Sequence, residues 1–476
     1  MKKPSWSDNK SMAAVFFAVL FLNLSIRSVF YNFDGIACAI AIELSDFKHL
    51  VHGNHLAYGF VGWCFDKLWR IFGYQGQALL SLQALDAVLG AAGAAVFSSL
   101  LRRMGRGERE AILGAAALAV SHAWWFWSLE AQVYMLGSLF ACMAARETLS
   151  DQPRPAMVGL WHALAILGHV GHAMAFPAYV YALTRKKGRG AVVPYMLSSF
   201  VAVVIPYLLA GCFAMQPSSF NDVKVWLLGS AALTDDRSFL WHSVPVAQAL
   251  HAWSRMSFRV FTEFVGLKGF SWIAGVILAV LPMIAVARAI LDKSREAKFW
   301  LLWLAGYAVL FLAWEPFTIV YRVSDLIGLW ALATLGLAAL PSRWRLGLLS
   351  AWILAAFAFN LRYTILPASR FENNPDLIEA EWTRMSAPPE AWMLVNNRGV
   401  VYIPYFTARR PVNLRYLPDE KQLHARIDML IAAGQSVFVS GRTLEEPGVR
   451  EKIARYGMKP VAAAGPLTMF RVIRGK

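Results

Sequence analysis

Charge is what this sequence has least of. Only 16% of its 476 residues are Asp, Glu, Lys or Arg, and 58% are hydrophobic. Soluble domains carry about a quarter charged residues. The apolar excess arrives in unbroken blocks of membrane-spanning length, which excludes an ordinary soluble fold. Acids are scarcer than bases, 30 against 46, for a formal net charge of +16. The excess falls in short clusters between apolar blocks, a pattern that encodes membrane topology and not nucleic-acid binding. Cysteine is rarer still. Cys38, Cys64, Cys142 and Cys212 form no CxxC pair and have no zinc spacing. Cys38 and Cys64 fall in one expected loop, which leaves room for a disulfide.

What is present is a polytopic α-helical membrane protein. Apolar runs of about 20 residues are long enough to span a bilayer. Such runs, with two shorter ones, predict about eleven transmembrane helices: 12–30, 78–101, 109–127, 131–149, 156–172, 173–184, 191–213, 268–291, 299–316, 323–340 and 346–366. The pair at 156–184 is broken by "GHVGH" and Pro177, which reads as two half-helices or one tilted span. The first run has a basic start but no small-x-small cleavage site, so it reads as a retained span. Lys2, Lys3 and Lys10, "LLRRMGRGERE", "TRKKGRG", "ARAILDKSREAK" and "PSRWR" then fall on one side, the cytoplasmic side by the positive-inside pattern. The N-terminus is therefore expected in the cytoplasm. Loop 31–77, loop 214–266 and the C-terminal part are expected outside, in the periplasm of a bacterial inner membrane.

The chain divides into a transmembrane domain, 1–367, and a small α/β domain, 368–476. In the latter "PPEAWMLVNNRGVVYIPYF" reads as short strands, "PDEKQLHARIDMLIAAG" as an amphipathic helix, and "SVFVSG" as a buried strand. No glycine-rich phosphate fingerprint or nucleophile motif occurs in it.

The chemistry gathers in the outer segments. Loop 31–77 is longer than a connector needs, and its aromatics mixed with Lys and Arg suit a helix lying in the membrane interface. Asp34 follows the first span, where it reads as a general base or as the N-cap of a helix over 35–44. His49, His52 and His55 recur at i, i+3 and i+6. That spacing admits a metal site, anion binding or plain surface histidines, and the turn residues in "VHGN" count against the metal. No cofactor is called for; a divalent metal is compatible but nothing indicates one. Ionisable residues in apolar company are functional candidates. These are Glu130 beside Gln132, His169 and His172 at the broken pair, Arg322 and Asp325 at i, i+3, and the loop residues Lys224, Arg237, Arg255, Arg259 and Lys268 with Trp226, Trp241 and Trp253. All fall on the outer side in this topology, which predicts one polar site there.

These motifs resemble the GT-C membrane glycosyltransferases, most closely the protein O-mannosyltransferase-like branch. "FDGIA" and "HGNHLAY" stand where that branch has its acidic and His-Pro-Pro-Gly-Tyr stretches, matching Asp34, His52 and Tyr58. "WSLEAQVYML" is similar to its Trp…Ala-Glu-Val-Tyr stretch and matches Tyr134, with Gln132 replacing the glutamate and Glu130 two residues earlier. "ALAILGHVGHAMAFP" matches through His169, and "YRVSD" through Tyr321 and Asp325. The branch's second loop acid is absent, since Ile36 and Ala37 stand there. The resemblance implies transfer of a sugar from a polyprenyl-phosphate donor to a hydroxyl of a protein, lipid or glycan acceptor, with inversion. Asp34 would be the base, with Glu130 a further catalytic candidate though not a simple substitute for the branch's glutamate, and His52, His55, Arg259 and Arg322 the phosphate ligands. Tyr58, Gln132, Tyr134, His169, His172, Tyr321 and Asp325 would line the substrate site. The alternatives are a transporter or flippase for a lipid-linked or anionic solute, and a non-catalytic scaffold.

Overall fold

The computed structural model describes residues 6–228, 244–292, 294–396, 398–414, 420–464 and 467–475. Lys2, Lys3, Arg237 and Trp241 lie outside the described residues. By its internal contacts the chain forms two compact units. One comprises Met1–Ser28 and Ala41–Ser369, the other Val29–Ile40 and Arg370–Lys476. The start of the first long loop, counted with the transmembrane part in the sequence reading, thus packs as part of the second unit.

The first unit is a helix bundle. Its elements are α1 (Trp6–Ser25), the end of α2 (Phe33–Glu43), α3 (Phe47–Leu50), α4 (Leu56–Ile71), α5 (Ala78–Arg103), α6 (Glu108–Val120), α7 (His122–Ser128), α8 (Tyr134–Thr148), α9 (Pro155–Gly168), α10 (Phe176–Lys187), α11 (Val192–Ala210), α12 (Phe220–Leu228), α13 (Val246–Arg259), α14 (Gly269–Leu291), α15 (Arg295–Trp314), α16 (Val323–Leu337), α17 (Ser342–Asn360) and the one-turn α18 (Leu366–Ala368). A helix occupies each expected span. Among the described residues six are long and apolar enough to cross a membrane: 78–103, 189–215, 269–291, 295–314, 319–337 and 342–368. The pair α6–α7, bent by 68°, makes a seventh if counted as one span, and Asn9–Ser25 and Pro155–Gly168 are apolar but shorter. α5 and α16 are buried along most of their length, whereas α11 leaves apolar side chains such as Phe200, Ile205 and Leu208 exposed, as a lipid-facing helix does.

Two local features shape the bundle. At the α6–α7 bend, helix bonding is interrupted and other segments replace it. His122 N–H donates to the Phe261 carbonyl at 2.9 Å and Ala123 N–H to that of Val260 at 3.0 Å. The Asn360 amide donates to the Val120 carbonyl at 2.9 Å. Every backbone group so freed inside an apolar bundle needs such a partner. Between α8 and α9, glycine lets backbones meet: a Cβ on Gly168 would lie 2.7 Å from Gly137 Cα.

The second unit holds a five-stranded sheet of β1 (Trp392–Val395), β2 (Arg410–Asn413), β3 (Val437–Ser440), β4 (Tyr456–Ala464) and β5 (Leu467–Arg474) in the order β2-β1-β3-β5-β4. β1 runs parallel to β2 and β3; β5 is antiparallel to β3 and β4. Its helices are α19 (Pro375–Ser386), α20 (Gly399–Thr407), α21 (Glu420–Ala432), α22 (Gly441–Glu445) and α23 (Val449–Lys452). The apolar stripe Leu423, Ile427 and Leu430 of α21 packs on Leu394, Val437 and Val439. β3 is buried at all four positions, as its apolar run predicts. "GVVYIPYFT" is helix α20, not the expected strand. β-propensity mostly measures fit to a pleated, half-buried surface. Pro404, which has no N–H, could not donate to a ladder at that position.

Candidate functional site

In the bundle, α4 delivers Tyr58 to the buried Asp86 of α5: the Tyr58 hydroxyl donates to Asp86 Oδ2 at 2.5 Å. The same oxygen accepts the Gln132 backbone N–H at 2.7 Å. Gln132 folds its side chain back, its Oε1 accepting from Val133 N–H at 2.9 Å. Glu130, fully buried, accepts from the Ser28 hydroxyl. Gln83 ties this turn together by donating to the carbonyls of Ser28 at 3.0 Å and Leu129 at 3.1 Å. Asp86 Oδ1 and Gln132 Nε2 are buried without a hydrogen-bond partner among the described residues. Asp86 was missed at the sequence level. Its signal was a lone acid inside the span "LSLQALDAVLG", the kind of residue an apolar environment tolerates only with partners or a purpose.

A second group adjoins the first through the chain from Gln132 to Tyr134. The Tyr134 ring lies 4.6 Å from that of His169 and 5.4 Å from that of Tyr321. His169 sits where α9 stops, and its Nδ1 accepts Gly171 N–H at 3.1 Å, which assigns its proton to Nε2. The first loop comes to the same break: Val170 N–H donates to the Asn54 carbonyl at 2.8 Å. His52 and His55 stack face to face, centroids 4.2 Å apart at 6°. His52 Nδ1 accepts Asn54 N–H at 3.2 Å, leaving Nε2–H as its donor. Burial holds His52 below the usual histidine range. Burial, then repulsion from His52 and His169, pushes His55 well below it. His49 stands apart, exposed and hydrogen-bonded to Asp46 at 2.6 Å. The turn at Gly53 and Asn54 breaks the helical spacing of the three.

Other expected site residues are occupied elsewhere. Arg322 is buried, pairs with Asp325, donates to the Trp253 carbonyl at 3.1 Å and to Ser257 Oγ at 2.9 Å, and lies over the Trp253 ring. Arg259 pairs with Glu263. His172 meets the His169 ring edge-on, centroids 6.5 Å apart, and bonds the Tyr307 hydroxyl at 2.6 Å. Cys64 is a free thiol, so the Cys38–Cys64 disulfide is not formed. Among the described residues no three His, Cys, Asp or Glu are placed to hold a metal ion.

Asp34 belongs to the second unit, in the first turn of α2. It is not the cap, contrary to one reading of the sequence. Asn32 caps, its Oδ1 accepting Asp34 N–H at 3.0 Å. Asp34 is half-buried, and desolvation pushes its carboxyl above the ordinary carboxylate range. Tyr31, just upstream, has φ of 38°, a left-handed conformation that costs a non-glycine residue roughly 1–2 kcal/mol.

No protein-family model matches the sequence, and no curated protein matches it. Solved structures do match the fold. ArnT from Cupriavidus metallidurans bound to undecaprenyl phosphate is similar over 97% of both chains, with a TM-score of 0.63 and 15% identity. The Archaeoglobus fulgidus oligosaccharyltransferase tethered to an acceptor peptide is similar over 98% of this chain and 74% of its own, with a TM-score of 0.57 and 11% identity. The arabinofuranosyltransferase AftD from Mycobacteria covers 99% of this chain with 40% of its own length, at a TM-score of 0.55 and 14% identity. The chain thus shares its fold with these three proteins.

Proposed function

We propose that this chain is an integral-membrane glycosyltransferase. It moves a sugar from a polyprenyl-phosphate-linked donor to an acceptor hydroxyl, with inversion, on the outer side of the membrane. The observation that carries this reading is the end-to-end fold shared with a protein solved with undecaprenyl phosphate. The orientation, with the N-terminus in the cytoplasm and the second unit in the periplasm, is part of the proposal and rests on the distribution of Lys and Arg.

Asp34 takes the proton of the acceptor hydroxyl as that oxygen attacks the anomeric carbon and the bond to the phosphate oxygen breaks. A carboxyl raised by desolvation is the stronger base for this step. The departing phosphate gains negative charge, and buried neutral donors fixed in advance stabilise it. His52 offers its Nε2–H, left as a donor by the Asn54 bond to Nδ1, and His55 stacks on its ring. Asp86, Tyr58 and Gln132 supply the hydrogen-bonding groups of the acceptor or sugar site.

The test uses the purified full chain in detergent with radiolabelled undecaprenyl-phosphate sugars and a membrane extract as acceptor. Transfer by the wild type, lost roughly 10²–10⁴-fold in Asp34→Asn, is the expected result for removal of a general base. Normal turnover by Asp34→Asn overturns the role of Asp34. With the same protein reconstituted into sealed lipid vesicles, label that crosses the bilayer without transfer overturns the enzyme in favour of a transporter.

A further inference from the structure

The segment before Asp34 is held by an unusual set of bonds, all within the second unit. Asn374 caps α19 through its Oδ1, which accepts Leu377 N–H at 3.0 Å. That leaves its amide nitrogen for other work. Nδ2 lies 2.7 Å from the Val29 carbonyl and 3.1 Å from that of Phe30. The Tyr402 hydroxyl of α20 lies 2.8 Å from the Phe30 carbonyl and 2.6 Å from that of Tyr31, and 3.3 Å from Asn374 Nδ2. Three consecutive carbonyls are thus taken by two side chains. The Tyr31 ring stacks on Phe406 at 5.4 Å, and the Arg398 guanidinium lies 5.2 Å over the Phe30 ring.

None of these residues belongs to a strand of the sheet. The bonds fix the path of Val29–Tyr31, including the left-handed Tyr31 that the segment would not hold by itself. Asn32 then caps α2, so the direction in which α2 starts, and the place of Asp34 in its first turn, follow from that path. We propose that Asn374 and Tyr402 are positioning residues for the reaction. The C-terminal unit clamps the backbone ahead of Asp34 and so sets where its carboxylate stands. This rests on the reading of Asp34 as the base. A base must lie within hydrogen-bond reach of the proton it takes, and a misplacement of about 1 Å costs roughly 10²-fold in rate.

Two variants of the full chain test it. Tyr402→Phe keeps the ring and removes the hydroxyl. Asn374→Ser keeps a capping oxygen for α19 and removes the amide donors. Hydrogen exchange in detergent reads the clamp without any substrate. Amides of 29–36 should exchange at least about tenfold faster in both variants, with β3 and β5 unchanged. With the radiolabelled undecaprenyl-phosphate sugar that supports transfer, kcat should fall roughly 10- to 100-fold while KM for that donor stays put. Unchanged exchange at 29–36 overturns the clamp. Faster exchange with unchanged kcat overturns its role in positioning. If Asp34→Asn turns over normally, the reading of the base has failed, and exchange at 29–36 still judges the clamp on its own.

Discussion

Tyr58 and Asp86 meet at 2.5 Å, 28 residues apart in sequence and buried in the bundle. Asp86 Oδ2 also takes the Gln132 N–H, so one oxygen ties α4 and the turn before α8 to α5. Tyr58→Phe removes one of those partners and should destabilise the protein by about 1–3 kcal/mol. Thermal unfolding in detergent measures it. A double-mutant cycle with Asp86→Asn should show coupling of about 0.5–3 kcal/mol, and strict additivity would mean the bond contributes nothing.

Arg322 tests whether a buried arginine serves phosphate or structure. Its nitrogens are taken by Asp325, the Trp253 carbonyl and Ser257. Arg322→Met leaves Asp325 buried without its counter-charge, so a loss of about 3–5 kcal/mol in stability is expected. Affinity of the folded protein for undecaprenyl phosphate, measured by titration calorimetry, should hardly change. A large fall in affinity with little loss of stability would return the phosphate role to it.

The stacked histidines give a pH signature. Burial lowers both His52 and His55 from the model-compound value of 6.5. Below that pH the unfolded chain binds protons at these positions and the native chain does not, so stability falls as pH drops from about 6.5 toward the depressed native values. Each group contributes at most about 1.4 kcal/mol per pH unit across that window. His55→Gln should flatten the decline of the unfolding midpoint between pH 6.5 and 5. An unchanged slope would mean that His55 titrates alike in both states.

The contact between α8 and α9 predicts a graded response. A Cβ on Gly168 would press on the Gly137 backbone at 2.7 Å, whereas one on Gly137 would lie 2.6 Å from the His172 ring and 3.2 Å from the Ala165 carbonyl. Overpacking costs about 1–3 kcal/mol, and backbone yields less readily than a side chain. Gly168→Ala should therefore lower the unfolding midpoint more than Gly137→Ala. The reverse order would show that His172, held by Tyr307, is the stiffer neighbour.

The helices were legible in the sequence because a span is a local property: length and apolarity alone place α5, α11 and α14. The break at His169 was legible for the same reason, from "GHVGH" and Pro177. What escaped depends on distant partners. Nothing near Asp86 announces Tyr58 or Gln132, which lie 28 and 46 residues away. Nothing near Tyr31 announces Tyr402, 371 residues on. The helical spacing of His49, His52 and His55 suggested one face, but a two-residue turn admits only two of them to the stack. α20 reads as strand by composition and became helix in its tertiary setting.

The 68° bend between α6 and α7 has a mechanical consequence. The two amides at its corner are held by Val260 and Phe261, at the end of α13, and the carbonyl before it by Asn360 of α17. α7 runs directly into Leu129, Glu130 and Gln132. The corner therefore ties the course of α7, and the turn at Glu130 and Gln132 that follows it, to the 246–261 segment.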